Sequence, residues 1–360
     1  MLREIKKLIK TGALRSLKQR ENLIDLTSND YLGLSGNLIF QRTAAAQWEQ
    51  WSARLTQKIG STGSRLLTGN HVFFEEVEEK IARFHGFSAS TLFNCGYMAN
   101  LGLLSSIFTE KDSIVADLDV HASIHDGMRL SKAAKYYFRH NDLDHLEARL
   151  KNKRSCSVIV ESVYSMSGDH APLREIAFLC EKYSARLIVD EAHAIGVLGP
   201  KGKGLVAEHC LQDKVFACIG AFGKAIGCHG AIVLGSKLLK KMLLNFSRPL
   251  IYTTALPLPL LAAISCSYDY FPSMQNERKH LLGLLVKFRY PSHIHPISVR
   301  GNSQAKLLSQ FLAQHDFDVR PILSPTVPKN EERLRLTVHS FNTSNQVQRC
   351  LELINKWKMA

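Results

Sequence analysis

Lys224 stands in a turn of small residues between two apolar runs. The segment reads Phe216-Ala217-Cys218-Ile219-Gly220-Ala221-Phe222-Gly223-Lys224-Ala225-Ile226-Gly227-Cys228-His229-Gly230. A lysine bedded this way is poorly solvated, which makes its amine nucleophilic toward a carbonyl. The plainer reading is a solvated turn lysine. Upstream, Arg186-Leu187-Ile188-Val189 ends in Asp190, followed by Glu191, Ala192 and His193. At the carboxyl end of a buried strand, a carboxylate can hold a positive charge in a dry crevice. The plainer reading is an aspartate that caps the next helix. The letters Asp-Glu-Ala-His also spell a helicase box, but no phosphate loop of the GxxxxGK[ST] type precedes them. His121 follows another apolar run and offers a ring to stack on a flat ligand, or simply a helix cap. His125 lies one helical turn on, yet no third ligand accompanies the pair, which argues against a metal. Residues 60–65, Gly-Ser-Thr-Gly-Ser-Arg, with Gly69 and Asn70, form a glycine and hydroxyl loop able to bind an anion or merely to turn. Arg333-Leu334-Arg335 alternates along a strand; one arginine of the pair is expected to be buried, and a buried arginine commonly clamps a carboxylate.

Positioning such groups takes a substantial scaffold. The chain has 360 residues, is 45% hydrophobic and 22% charged, and so excludes a disordered tail or a mini-scaffold. Short apolar runs at 90–94, 113–116, 135–138, 156–160, 186–189, 215–219 and 231–234 alternate with helical patterns. They predict buried strands of an α/β sheet with helices on both faces. The spacing of Val72, Val77, Ile81 and Phe84 predicts a helix over 71–85. Pro257 and Pro259 break the alternation. Beyond them the pattern is α+β, with a strand at 294–299, a helix near 304–314, a loop rich in proline (Pro321, Pro325, Pro328) and a strand at 334–338. The expected division is an N-terminal arm over 1–45, a large α/β domain over 46–262 and a small C-terminal α+β domain over 263–360.

Charge and targeting signals narrow the partners. Lys and Arg number 46 against 32 acids, giving +14. This suits an anionic partner such as a phosphorylated cofactor or an acidic carrier protein. The basic residues are spread out and no nucleic-acid motif accompanies them, so no nucleic acid is expected. The apolar stretch 250–266 is broken by its prolines and too short to span a membrane. Leu2, Ile5, Leu8 and Ile9 have helical spacing among Arg3, Lys6, Lys7 and Lys10. They predict an amphipathic arm packed on the body rather than a targeting peptide. The eight cysteines form no CxxC pair, which fits reduced thiols in a cytoplasmic protein.

Taken in order, these pieces resemble a pyridoxal 5'-phosphate enzyme of fold type I, and in detail the α-oxoamine synthases. The matching motifs are Asn29-Asp30-Tyr31-Leu32-Gly33-Leu34, the 60–65 loop, Gly96-Tyr97-Met98-Ala99-Asn100, His121-Ala122-Ser123, Ser165-Met166-Ser167-Gly168-Asp169, Asp190-Glu191-Ala192-His193, Phe222-Gly223-Lys224-Ala225 and Arg333-Leu334-Arg335-Leu336-Thr337. They cover essentially the whole chain. The resemblance implies a seven-stranded, mostly parallel central sheet and a homodimer. Within the family, the Asn29–Leu34 motif, Ile251-Tyr252-Thr253-Thr254 and Pro325-Thr326-Val327-Pro328 look most like the members that join L-alanine to a pimeloyl thioester, of coenzyme A or of acyl carrier protein, on the way to biotin. Other α-oxoamine synthases, and a catalytically silent partner subunit of the same fold, are the alternatives.

The resemblance also implies roles. Lys224 would carry the cofactor covalently and later move protons. Asp190 would pair with the pyridine nitrogen, and His121 would stack on the ring face. Ser165 and His193 would bond to the phenolic side. The backbone of Gly96 and Tyr97 would approach the phosphate, and Thr253 or Thr254 would reach it from the partner subunit. Arg335 would clamp the amino-acid carboxylate, while Arg15 and Thr326 would contact substrate. One position departs from the family pattern: Ala221 stands where a threonine usually gives its hydroxyl to the phosphate. The loop after Arg320 is also longer than usual.

Overall fold

The structure, a computed structural model, describes residues 2–17, 22–54, 59–151 and 153–359. In chain order the elements begin with α1 (Leu2–Lys10), β1 (Ile24–Asp25), α2 (Leu38–Ser52) and α3 (Val72–His85). Strands and helices then alternate: β2 (Ala89–Phe93), α4 (Gly96–Ser106), β3 (Ser113–Asp117), α5 (Ala122–Leu130), β4 (Ala134–Phe138), α6 (Leu143–Leu150), β5 (Cys156–Glu161), α7 (Leu173–Lys182), β6 (Arg186–Asp190), α8 (Leu205–Glu208), β7 (Val215–Ala221) and β8 (Ala231–Gly235). Next come α9 (Lys237–Phe246), α10 (Arg248–Ile251), α11 (Leu258–Tyr270) and α12 (Gln275–Phe288). The chain closes with β9 (Ile294–Ser298), α13 (Asn302–Ala313), β10 (Phe317–Asp318), β11 (Arg320–Ile322), β12 (Arg333–Thr337) and α14 (Ser344–Met359).

These elements form two compact units. The larger takes residues 32–164 and 169–278, and the smaller takes the described residues of 1–31, 165–168 and 279–360. In the larger unit all seven expected apolar runs pair into one sheet, in the order β2-β8-β7-β6-β5-β3-β4. Strand β8 runs antiparallel to both neighbours, and every other pairing is parallel. Strands β2, β5 and β8 are buried at every residue, which explains their unbroken apolar sequence. The edge strand β4 instead exposes Ala134 and Lys135, and a lysine on an edge discourages further pairing. Strands β7 and β6 end at Ala221 and Asp190 respectively. Both therefore deliver their chemistry-bearing segments at the sheet's carboxyl edge.

The smaller unit holds the antiparallel sheet β11-β12-β9 and the two-residue parallel pair of β1 with β10. Helix α14 buries Val347, Cys350 and Ile354, a stripe at helical spacing that the sequence reading passed over. It also passed over α2, whose Phe40 and Trp51 are buried.

Two expectations fail in detail. Pro321 lies in a strand, not a loop: β11 pairs only with β12, so an edge position tolerates the missing N–H. The predicted arm does form a helix, but α1 buries none of its residues; positions 18–21 of that arm lie outside the described residues. Part of the apolar stretch 250–266 belongs to the larger unit's own core. Leu256, Leu258, Leu261 and Ala262 are all buried there.

Candidate active site

Lys224 sits in the connection from β7 to β8 in the larger unit. Backbone bonds from Phe222 N to the Gly230 carbonyl and from Cys228 N to the Phe222 carbonyl, both 2.9 Å, fold this connection into a tight turn. Gly227 closes it with a φ of +66°. A side chain there would come within 2.8 Å of Ser35 N, so the turn rests against the end of the Leu32–Leu34 motif. Ala225 and Ile226 are fully buried and anchor the turn. The half-buried Lys224 then places Nζ 2.8 Å from His193 Nε2.

Asp190, at the end of β6, is buried. Ala192 N donates to one carboxylate oxygen at 2.9 Å, and Asn100 Nδ2 donates to the other at 2.7 Å. A carboxylate accepts about four bonds, so both oxygens retain capacity for a cationic ring N–H. Asn100 also donates to Ser123 Oγ at 3.1 Å, and Ser123 Oγ lies 2.7 Å from His121 Nδ1. His121 caps α5, its Nδ1 accepting from Ser123 N at 3.2 Å. The cap reading and the ring-platform reading of His121 thus coexist in one residue. With Nδ1 accepting, the neutral imidazole carries its proton on Nε2. Burial, the largest effect, lowers the His121 pKa; Asp190 opposes this, and the Lys224 and His125 charges add to it. At neutral pH His121 is therefore an uncharged flat ring.

Next to Asp190, Glu191 is fully buried and accepts from the amides of Leu205 and Val206 at 2.7 and 3.1 Å. Its burial raises its pKa to about 7 against those bonds.

Helix α4 starts at Gly96, and Cys95 ahead of it provides no side-chain cap. Its first-turn amides are thus available to an anion. A side chain at Gly96 would meet the Cβ of Ala221 at 3.5 Å. The position that lacks the family's threonine therefore adjoins the start of α4. The hydroxyl of Tyr97 donates to Asp126, which also pairs with Arg129, and the Tyr97 ring stands edge-on to His121 with centroids 6.5 Å apart. A buried carboxylate with unused acceptor capacity, a neutral ring, an accessible lysine and an uncapped helix start together fit pyridoxal phosphate.

The 60–65 loop and the 253–256 segment lie side by side. Ser64 and Thr254 form an isolated antiparallel bridge, Ala255 N donates to the Gly63 carbonyl at 2.9 Å, and Ser61 Oγ donates to the Leu256 carbonyl at 2.6 Å. The Thr254 carbonyl accepts from Asn94 Nδ2 at 2.9 Å. Fully buried Glu78 secures the loop's end by binding Arg65, and it also takes Lys240 at 2.6 Å.

In the smaller unit Arg335 is only 9% exposed. It donates to the Ser165 carbonyl at 2.7 Å, to Thr337 Oγ1 at 3.1 Å and to the Tyr31 hydroxyl at 3.4 Å. Arg333, two residues earlier on the same face of β12, is less buried. Among the described residues Arg335 has no carboxylate partner, which leaves its charge for a ligand. Arg15 Nη2 donates to Thr326 Oγ1 at 2.9 Å, joining two sequence-predicted positions from opposite ends of the chain.

Sequence reasoning gave no role to Asn100, Ser123, Asp126 or Glu78. Asn100 and Ser123 lay inside quoted motifs. Asp126 and Glu78 take on meaning from Tyr97 and from Arg65 and Lys240, which no local pattern ties to them.

The profile of the family described as aminotransferase class I and II matches residues 21–354. An 8-amino-7-oxononanoate synthase of Emericella nidulans is 38% identical over 93% of this chain and 89% of its own length. The crystal structure of 8-amino-7-oxononanoate synthase from Francisella tularensis superposes with a TM-score of 0.80 at 30% identity, covering 93% of this chain and 98% of that one. A serine palmitoyltransferase of S. paucimobilis, solved with bound pyridoxal phosphate, gives a TM-score of 0.87 at 26% identity over 99% of this chain and 96% of its own.

Proposed function

Given that the chain belongs to the aminotransferase class I and II family, and is a pyridoxal-phosphate-dependent acyltransferase on a fold type I core, we propose that it makes 8-amino-7-oxononanoate from L-alanine and a pimeloyl thioester. In this reaction alanine loses its α-proton, and its α-carbon bonds to the pimeloyl carbonyl carbon as the thiol leaves. The carboxyl group then departs as CO2 and the same carbon takes up a proton. Pyridoxal phosphate, when bound, supplies the electron sink that makes the α-carbon acidic. Lys224 holds it and moves the proton at the alanine α-carbon. Asp190 keeps the ring nitrogen protonated, and His121 covers the ring face. Ser165 and His193 bond to the phenolic side. The amides of Gly96 and Tyr97 hold the phosphate, with Thr253 or Thr254 reaching it from the neighbouring subunit of a homodimer. Arg335 binds the alanine carboxylate, and Arg15 and Thr326 contact substrate.

The observation that carries this reading is the juxtaposition of Lys224, His193, Asp190 and His121 in one unit of a chain 38% identical to a curated 8-amino-7-oxononanoate synthase. A cytoplasmic setting fits the absence, among the described residues, of any helix long and apolar enough to cross a membrane. The close superposition on a serine palmitoyltransferase favours serine with a longer acyl thioester as the second reading. Thiol release measured for alanine, glycine and serine against pimeloyl, acetyl, succinyl and palmitoyl thioesters decides between them. The alanine and pimeloyl pair should be fastest. Borohydride reduction in the presence of pyridoxal phosphate, followed by peptide mapping, should place the label on Lys224, and a label on another lysine sinks that assignment.

A further inference from the structure

Among the described residues, helix α1 leaves an apolar stripe without a partner. Leu2, Ile5 and Ile9 share one face and are 77%, 43% and 58% exposed. At about 100° per residue, Arg3, Lys6, Lys7 and Lys10 form a basic band along one flank of that stripe, and Glu4 borders the other. The helix is nonetheless fixed in place. Asn302 Nδ2 donates to the Thr11 carbonyl at 2.9 Å, and Lys306 Nζ donates to the Gly12 carbonyl. Asn302 Oδ1 also accepts from Ser324 N at 2.9 Å, and Arg15 reaches Thr326 at the same distance. Within the smaller unit, α1 therefore sits beside the residues proposed to contact substrate.

We propose that α1 is the docking surface for a small acidic protein that carries the acyl group as a thioester. This rests on the condensation proposed above and names the form in which its donor arrives. The basic band matches acidic side chains, and the stripe, roughly 10 Å long at 1.5 Å per residue, matches the apolar face of a partner helix. A free coenzyme thioester would satisfy the cations but leave the stripe bare. A lipid surface would gain only three short aliphatic side chains, less than the single acyl anchor that itself binds marginally. A carrier needs only a transient, charge-steered contact, which this surface suits.

The test titrates fluorescently labelled pimeloyl-acyl carrier protein with the whole enzyme and follows anisotropy. Lys6→Glu with Lys7→Glu should weaken the Kd about tenfold or more. KM for the carrier-bound donor should rise by the same factor, while kcat and the KM for pimeloyl-coenzyme A stay within about twofold. An unchanged Kd overturns the proposal. Should the variant lose helix by circular dichroism, wild-type protein still decides: its Kd must weaken severalfold as the screening length falls from about 10 Å at 0.1 M salt toward 3 Å at 1 M. Two other results overturn it. One is sedimentation with phosphatidylglycerol vesicles but no carrier binding, which would assign α1 to a membrane. The other is a fall from dimer to monomer in the variant, which would assign it to a second copy. If wild-type enzyme turns over neither thioester, the condensation itself fails, and the anisotropy still settles the docking.

Discussion

Asp190 and Ala221 show how much hangs on single atoms. Asp190→Asn keeps the bond from Ala192 and the packing, but removes the charge proposed to protect a ring proton. Turnover should fall by about 10²-fold or more with cofactor saturating, the scale of losing one preorganised electrostatic contact. Near wild-type kcat in that variant would end the electron-sink role. Ala221 adjoins Gly96 at the start of α4, so a hydroxyl placed there is within the helix's field for an anion. A hydrogen bond to a charged group contributes about 1.5–3 kcal/mol, and Ala221→Thr should tighten pyridoxal phosphate binding about tenfold or more by fluorescence titration. An unchanged Kd would mean that another donor already fills the place. Asp190 was legible because it ends an unbroken apolar run, and Ala221 because the resemblance expects a threonine there. Asn100, which links Asp190 to Ser123, was not, since its partners lie 90 and 23 residues along the chain and no spacing rule connects them.

Among elements, the connection between β4 and α6 sets a histidine between two carboxylates. His140 lies between Asp117 at 2.9 Å and Asp169 at 2.7 Å, and Asn141 Nδ2 donates to Asp169 at 2.8 Å. Burial alone would depress the His140 pKa, but the bonds to both carboxylates overcome it and raise it from 6.5 to about 10. Because the folded value is the higher one, its stabilisation is complete below about pH 6.5 and drains away as pH rises through 10. Melting temperature should therefore fall over that window, and His140→Asn should flatten this part of the profile while lowering Tm at pH 6. A variant with the same slope as wild type would show that other groups dominate. Strands were the elements most legible in the sequence, because burial on both faces writes a continuous apolar run. The edge strand β11 was hidden by Pro321, and α14 by a stripe of only three buried residues.

For the whole molecule, the proposed homodimer with shared sites is open to a mixing test. The 60–65 loop and Thr253–Thr254 are held together within one chain, as a pair serving a neighbour would need to be. Lys224→Ala disables the site fed by its own lysine, and a variant changed to alanine at both Thr253 and Thr254 disables the site across the interface. In a two-fold dimer both lesions fall on one site and leave the other intact. Mixing should restore activity toward roughly half that of a wild-type dimer at full pairing. Heterodimers seen by native mass measurement with no activity would refute sharing. Sequence composition spoke to none of this, since net charge and apolar fraction carry no record of which surfaces meet.

Helix α4 has one more consequence. Gly96 at its first turn faces the proposed phosphate, and Asn100, one turn on, holds Asp190. That single rigid turn, rising about 6 Å over four residues, works as a gauge block. With the ligand bound as proposed, it would set the span between the phosphate site and the ring-nitrogen site. A ligand of the wrong length would satisfy one end only, so selection by size would be built into the backbone before any side chain chooses.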